Sequence, residues 1–139
     1  MRPYRDIYPV RKLRSLTGFT NNPNRLVNFY KKALGFKEES RQIVAKNVIK
    51  SIFGLDCRCL MIRLGKGALK IEIFKDTSIR FRKRAKNSLG YNHWGYFVGN
   101  RGVFIKTVKS KAPVIKVERN GRFAYFIKDP DGNLIELRD

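Results

Sequence analysis

The chain has 139 residues, of which 42% are hydrophobic and 12% aromatic, and its 31 Lys and Arg against 11 Asp and Glu give a net charge of +20. This length suits one domain of ordinary size, and the apolar content excludes a wholly disordered chain. No apolar run is long enough for a transmembrane helix, and the first residues lack the apolar stretch of a secretory signal, so we expect no membrane partner. The charge favours anionic partners, either nucleic acid or small phosphorylated or carboxylated molecules.

The two cysteines, Cys57 and Cys59, are one residue apart. Side chains at this spacing in a strand point to opposite faces, so we expect no disulfide between them. The pair cannot form a disulfide scaffold, and a reducing cytoplasm is the expected location.

The first half of the chain reads as a strand, a helix and three further strands. Asn22-Pro23 is typical of a helix start, and Gly35 is typical of a helix end. Residues 57–74 predict a hairpin that turns at Gly65-Lys66-Gly67. The predicted elements are a strand at 13–20, a helix at 23–34, a strand at 36–44, a short helix ending at Gly54, and hairpin strands at 57–64 and 68–74.

The second half repeats this order after a polar, basic segment at 76–90. Asn120-Gly121 is the strongest hairpin signal in the chain, and residues 129–132 (DPDG) predict a further turn. The predicted elements are a strand at 91–98, a helix at 101–110, hairpin strands at 114–118 and 123–127, and a last strand at 133–138.

An internal repeat joins the two halves. A shift of 78 residues, from Ser15 to His93, superimposes Phe19 on Phe97 and the helix-starting Asn22 on Asn100. The closing strands match as Ile71-Glu72-Ile73 and Ile135-Glu136-Leu137. We therefore predict an α+β fold of paired βαβββ modules that form a curled mixed sheet around a cleft. Residues 1–12 are a basic N-terminal arm, and 13–139 are one domain made of module one (13–75), a linker (76–90) and module two (91–139).

Two segments resemble known signatures. Residues 25–36 (RLVNFYKKALGF) are similar to the first-helix signature of the vicinal oxygen chelate superfamily, which includes glyoxalase I, the bleomycin-resistance and fosfomycin-resistance proteins, and the extradiol dioxygenases. Residues 126–137 (FIKDPDGNLIEL) resemble its closing signature more closely, and 92–97 (NHWGYF) look like the strand that opens its second module.

The resemblance implies a metal site. Metal-dependent members of the superfamily bind one divalent ion through four inward-facing positions, on the first and last strands of each module. These positions correspond to Ser15, Glu72, His93 and Glu136. The expected metal ligands are thus His93, Glu72 and Glu136, with Ser15 as a possible fourth position. The repeat independently matches Ser15 with His93 and Glu72 with Glu136.

Physical chemistry supports this set of ligands. Oxygen ligands with one imidazole suit Zn, Ni, Mn, Co or Fe. Two carboxylates in one cavity repel each other unless a cation or a shared proton lies between them. Glu72 and Glu136 are then the candidate catalytic residues, since a carboxylate there can take the proton from the carbon next to a carbonyl. The resemblance thus implies a glyoxalase-like lyase or isomerase acting on a small oxygenated, possibly anionic substrate.

Ser15 departs from the pattern, because metal-dependent members usually carry His or Gln there, and a hydroxyl is a poor ligand. The alternative is a metal-free protein that sequesters a small molecule, as bleomycin-resistance proteins do. Nucleic-acid binding driven by charge is a third, less favoured possibility, which steep salt dependence would reveal. A homodimer is expected, and either one chain or two would complete the cleft. In the linker, Arg80, Arg82 and Arg84 are candidate anion-binding residues at the mouth of the cleft.

Overall fold

The computed structural model describes residues 14–76 and 78–139. The predicted basic arm at 1–12 lies outside the described residues. The elements, in chain order, are β1 (Arg14–Phe19), α1 (Pro23–Leu34), β2 (Lys37–Val44), α2 (Lys46–Phe53), β3 (Cys59–Lys66), β4 (Leu69–Lys75), β5 (His93–Phe97), α3 (Arg101–Val108), β6 (Ile115–Arg119), β7 (Arg122–Lys128) and β8 (Leu134–Arg138). Among these described elements, no helix is long and apolar enough to span a membrane.

The strands form two four-stranded mixed sheets of equivalent topology. Sheet one has the order β1-β4-β3-β2, and sheet two has the order β5-β8-β7-β6. The parallel pair of sheet one aligns Thr17 with Glu72, and that of sheet two aligns Gly95 with Glu136. These registers reproduce the repeat found in the sequence, and the α+β fold of paired βαβββ modules is confirmed.

Both predicted helix starts are capped by asparagine side chains. Asn22 Oδ1 accepts a 3.1 Å hydrogen bond from the Arg25 amide, and Asn100 Oδ1 accepts a 3.0 Å bond from the Val103 amide. Such caps satisfy amides that have no partner within the helix. Helix α1 has the predicted bounds, whereas α3 ends at Val108, two residues earlier than expected.

The first hairpin turns later than the glycines suggest. Strand β3 continues through Lys66, and Gly67-Ala68 makes the turn, with φ +57° at Gly67. This arrangement suits a two-residue turn with glycine at its first central position. Gly65 lies inside the strand because the Glu39 carboxylate lies where a Cβ would be, 2.6 Å from the ideal Cβ position.

The two cysteine side chains do not point to opposite faces, as strand alternation predicted, although they form no disulfide. Cys57 precedes β3, so the alternation of a strand does not apply to it. Its sulfur lies 3.9 Å from that of Cys59, and both thiols are free and buried.

The two sheets share one hydrophobic core. Helix α1 contributes Leu26, Tyr30 and Leu34 to a cluster that also contains Ile73 of sheet one and Ile135 of sheet two. The Tyr96 hydroxyl on β5 donates to the Leu34 carbonyl at 3.3 Å, which joins the modules directly. Each sheet therefore has a core face, turned toward this cluster, and an outer face; on the outer face of sheet one, Ile49 of α2 packs with Met61 and Phe74 in a second cluster.

The predicted linker is anchored at Phe81. The Phe81 ring stacks on Phe19 with 4.6 Å between ring centroids. The Asn21 amide accepts a hydrogen bond from the Phe81 N–H and donates one to the Phe81 carbonyl, both 2.8 Å long. Phe81 therefore belongs to module one, and the segment that connects the modules begins after it.

Candidate functional site

Sheet two carries a histidine–carboxylate pair on its outer face. His93 begins β5 and Glu136 lies in the adjacent β8, since these two strands pair in parallel. The His93 Nε2 is 3.2 Å from the Glu136 Oε2. The other ring nitrogen, Nδ1, contacts the amide oxygen of Asn92. The Asn92 amide oxygen accepts from Nδ1, while Nε2 and the Glu136 carboxylate oxygen are both atoms that can ligate a metal. A proton or a metal cation between Nε2 and the carboxylate holds the two groups together.

Glu136 is also held by an arginine. Arg138 Nη2 donates to the Glu136 Oε2 at 3.1 Å, from two residues further along the same strand face. Partial burial opposes ionisation of this carboxyl, but the hydrogen bonds and charges of Arg138 and His93 outweigh it and lower the pKa of Glu136 below its ordinary 4.5. Glu136 is thus an ionised carboxylate at neutral pH, as a ligand or a base requires.

Sheet one carries the equivalent positions on its own outer face. Glu72 lies in β4 beside Thr17, and Ser15 is exposed in β1. The Glu72 carboxylate accepts a 3.1 Å bond from Arg63 Nη2 on β3, directly across the hairpin. The carboxylate on this face is therefore neutralised by an arginine.

One chain does not bring its two half-sites together. Ile71 and Ile73 belong to the shared core, so Glu72 between them points away from it. Likewise, Ile135 and Leu137 are buried in the core on either side of Glu136. Among the described residues, no three His, Cys, Asp or Glu side chains lie close enough to hold a metal.

The ligands of a single chain therefore do not fit a metal centre. His93 and Glu136 supply two ligands, whereas catalytic sites of the zinc type use three protein ligands. Among the described residues, Glu72 does not complete a three-ligand group with them.

The three linker arginines lie in different surroundings. Arg80 and Arg82 are exposed, whereas Arg84 lines a pocket that His93 also borders. Arg84 Nη2 donates to the carbonyls of Ser88 and Leu89 at 3.3 and 3.0 Å, so its guanidinium is held beside the start of β5.

No family model and no curated protein matches the chain. Many solved structures share its fold. A glyoxalase family protein from Enterococcus faecalis is 20% identical with a TM-score of 0.65, and the match covers 92% of this chain and 97% of that one. A glyoxylase/bleomycin resistance protein/dioxygenase domain from Frankia is 14% identical with a TM-score of 0.66, over 88% and 92%. The trypanothione-dependent glyoxalase I of Leishmania major is 19% identical with a TM-score of 0.58, over 94% and 87%.

The chain has the vicinal oxygen chelate fold. In this fold the two modules are equivalent, and the first and last strands of each module lie side by side. This strand pairing places His93 beside Glu136, and it gives Ser15 and Glu72 the equivalent strand positions in the other module.

The two arginines that bind Glu72 and Glu136 were not predicted from the sequence. Arg138 follows Glu136 by two residues in a strand, which places both on one face. Arg63 faces Glu72 across a hairpin whose turn was predicted two residues too early, so its partner was not apparent. The contact of Asn92 with the His93 ring was also not predicted, because Asn92 was considered only as part of the strand signature 92–97.

Proposed function

We propose that the chain is a glyoxalase-like, metal-dependent lyase or isomerase that acts on a small oxygenated, anionic substrate. The observation that carries this proposal is the imidazole–carboxylate pair of His93 Nε2 and Glu136 Oε2, 3.2 Å apart on the outer face of sheet two. A divalent ion satisfies both groups and suits their chemistry. A glyoxalase I among the structures of similar fold supports the reaction class.

We further propose that the site forms between two copies of the chain. The outer face of sheet two of one copy would meet the outer face of sheet one of the other, so that Glu72 joins His93 and Glu136. Exposed apolar side chains support contact with a second copy: Phe97, which is 62% exposed, Ile115 and Val117 share the outer face of sheet two. Apolar patches on sheet faces commonly mark interfaces.

The roles of the residues follow from their charges. A bound divalent ion would polarise two neighbouring substrate oxygens. Glu136, ionised at neutral pH, or Glu72 would take the proton from the carbon next to the substrate carbonyl. Arg63 and Arg138 would hold an anionic group of the substrate, since guanidinium groups bind carboxylates and phosphates well. We place this activity in the cytoplasm, which the free thiols of Cys57 and Cys59 support.

The first experiment measures the divalent metal retained after extensive dialysis. We expect wild type to retain one ion per site and His93→Ala to lose at least tenfold in affinity, because Glu136 then faces the cation with one ligand fewer. Ser15→His would raise the affinity by supplying an imidazole. Equal metal content in wild type and His93→Ala would contradict the metal site.

A mixing experiment tests whether the site uses two copies. His93→Ala and Glu72→Gln each impair one half-site, so either variant alone is expected to bind metal only weakly. In a twofold dimer, a refolded equal mixture regains about one quarter of the wild-type sites, because half of the dimers are mixed and each mixed dimer has one intact site. No recovery, with mixed dimers present by mass, would contradict the two-copy site.

A metal-free binding protein is the second candidate, favoured by one observation. Both glutamates already have an arginine partner, at 3.1 Å in each case, and Ser15 stands where a stronger ligand is expected. If the wild-type protein retains no metal, yet binds an anionic compound in a manner that Arg138→Gln weakens, sequestration is the better account.

A further inference from the structure

A pocket lies between the modules, and of the proposed metal-binding residues only His93 lines it. It has a volume of about 560 Å³. Ile71 and Ile73 line it, and these residues point to the core face, whereas Glu72 between them points to the outer face. Thr17 and Leu134, which pair with Glu72 and His93, also line the pocket, so residues of both faces contribute to its wall.

The wall of this intermodule pocket is mainly apolar. Its apolar lining comes from α1, β1, β4 and β5 and from the start of β8: Leu16, Leu26, Ile71, Ile73, Trp94 and Leu134. A volume of this size with such a wall is typical of sites for small organic ligands, which lie between roughly 300 and 1,000 Å³.

The carboxylate in the wall has its hydrogen bonds made within the protein. Asp129 Oδ1 accepts from the amides of Asp131 and Asn133 at 3.0 and 2.9 Å. Its Oδ2 accepts from the Tyr30 hydroxyl at 2.7 Å and from Asn133 Nδ2 at 2.8 Å. Asp129 therefore does not require a hydrogen bond from a bound molecule.

Arg84 gives the pocket a positive end. Its guanidinium has five N–H donors, and the two carbonyl bonds described above involve only Nη2. The remaining donors suit a carboxylate or another planar anion. Arg84 is the linker arginine that lines this pocket, whereas Arg80 and Arg82 do not.

We propose that the intermodule pocket binds an amphipathic small molecule, with an aromatic or branched apolar body against Trp94 and the isoleucines and an anionic group at Arg84. This inference does not rest on the metal site.

The chain provides a reporter and a variant that fills the pocket. Trp94 is the single tryptophan of the chain, so its fluorescence comes from one side chain in the wall of this pocket. Gly18 also lines the pocket, and a Cβ added there meets no atom within 4 Å. Its φ lies outside the range that disfavours side chains, so Gly18→Leu extends into the cavity without straining β1.

The test uses two fluorescent probes that differ by one anionic group, 1-anilinonaphthalene-8-sulfonate and the neutral N-phenyl-1-naphthylamine. We expect energy transfer from Trp94 to both probes in wild type. Arg84→Gln would weaken sulfonate binding about tenfold, because a charge-assisted hydrogen bond is lost, and leave the neutral probe unchanged. Arg82→Gln, the matched control, would change neither, and Gly18→Leu would abolish both.

Two outcomes would overturn the proposal. Equal loss of sulfonate binding in Arg82→Gln and Arg84→Gln would show attraction to the general positive charge. Undiminished binding to Gly18→Leu would place the probes elsewhere. Should Gly18→Leu fail to fold by circular dichroism, Gly18→Ala gives the same test with a smaller reduction in affinity. Glu136→Gln is expected to bind both probes normally, so a failure of the metal site leaves this test interpretable.

Discussion

The phenol of Tyr30 donates a 2.7 Å hydrogen bond to the carboxylate of Asp129, and both groups are buried. Tyr30 lies in α1 of module one, and Asp129 lies in the turn before the last strand of module two. The bond thus ties together the two sequence signatures, which are 99 positions apart.

Removing the Tyr30 hydroxyl should loosen the contact between the modules. Tyr30→Phe is expected to lower the free energy of unfolding by about 1.5–3 kcal/mol, the usual worth of a hydrogen bond to a charged group. Denaturant titration checks this value. Asp129→Asn should cost more, since the carboxylate accepts three further bonds. Equal stability of Tyr30→Phe and wild type would show that the bond contributes nothing.

Acid should weaken the protein partly through Glu136. Arg138 and His93 lower the pKa of this carboxyl despite the opposing effect of burial. A lowered pKa means that the ionised form stabilises the fold, so its contribution is full above the ordinary 4.5 and is lost as the pH falls through the lowered value. The stability difference between wild type and Glu136→Gln should therefore be larger at neutral pH than well below pH 4.5. A difference that is constant over this range would contradict the pairing.

The Cys57 and Cys59 thiols should be unreactive in the native protein. Burial, followed by the hydrogen bond with Cys57, raises the pKa of Cys59 from its ordinary 9.0 to about 11. Because the thiolate is the reactive form, a thiol reagent at pH 8 should label the native protein slowly and the unfolded protein rapidly at both cysteines. A raised pKa also means that stability is full below pH 9 and declines as the pH rises toward 11. Rapid labelling of native protein would contradict the burial of this pair.

Two glycines should respond to alanine in opposite ways. Gly121 has φ +75° in the Asn120-Gly121 turn, so Gly121→Ala is expected to cost about 1–2 kcal/mol of stability through left-handed strain. Gly18→Ala is the matched variant, because its Cβ meets nothing within 4 Å and its φ is not positive. We expect it to be neutral or stabilising, since alanine restricts the unfolded chain. Thermal unfolding of both variants distinguishes these outcomes.

Local signals in the sequence predicted the elements well. Asn22, Pro23 and Gly35 act within a few residues of themselves, so the bounds of α1 could be predicted correctly. The repeat could be predicted too, because the alternation of apolar and polar residues along β4 and β8 indicates which residues face the core. The turn after β3 was misplaced because Gly65 serves the packing of Glu39, a contact with another strand that the local sequence does not record.

The assembly of the site could not be predicted from the sequence. The pattern shows that Glu72 and Glu136 occupy equivalent positions, but not whether the two sheets meet through their glutamate faces or through their isoleucine faces. Here the isoleucine faces of both sheets pack with Leu26, Tyr30 and Leu34 of α1 in one shared core. The arginine partners of the glutamates depend on the same choice of faces.

The anchoring of Phe81 shortens the tether between the modules. Only nine residues, 82–90, separate this fixed point from Tyr91, and nine residues span at most about 30 Å. A tether this short keeps each module at an effective concentration in the millimolar range relative to the other. Below that concentration the modules associate within one chain, and the outer face of sheet two remains available for a second copy.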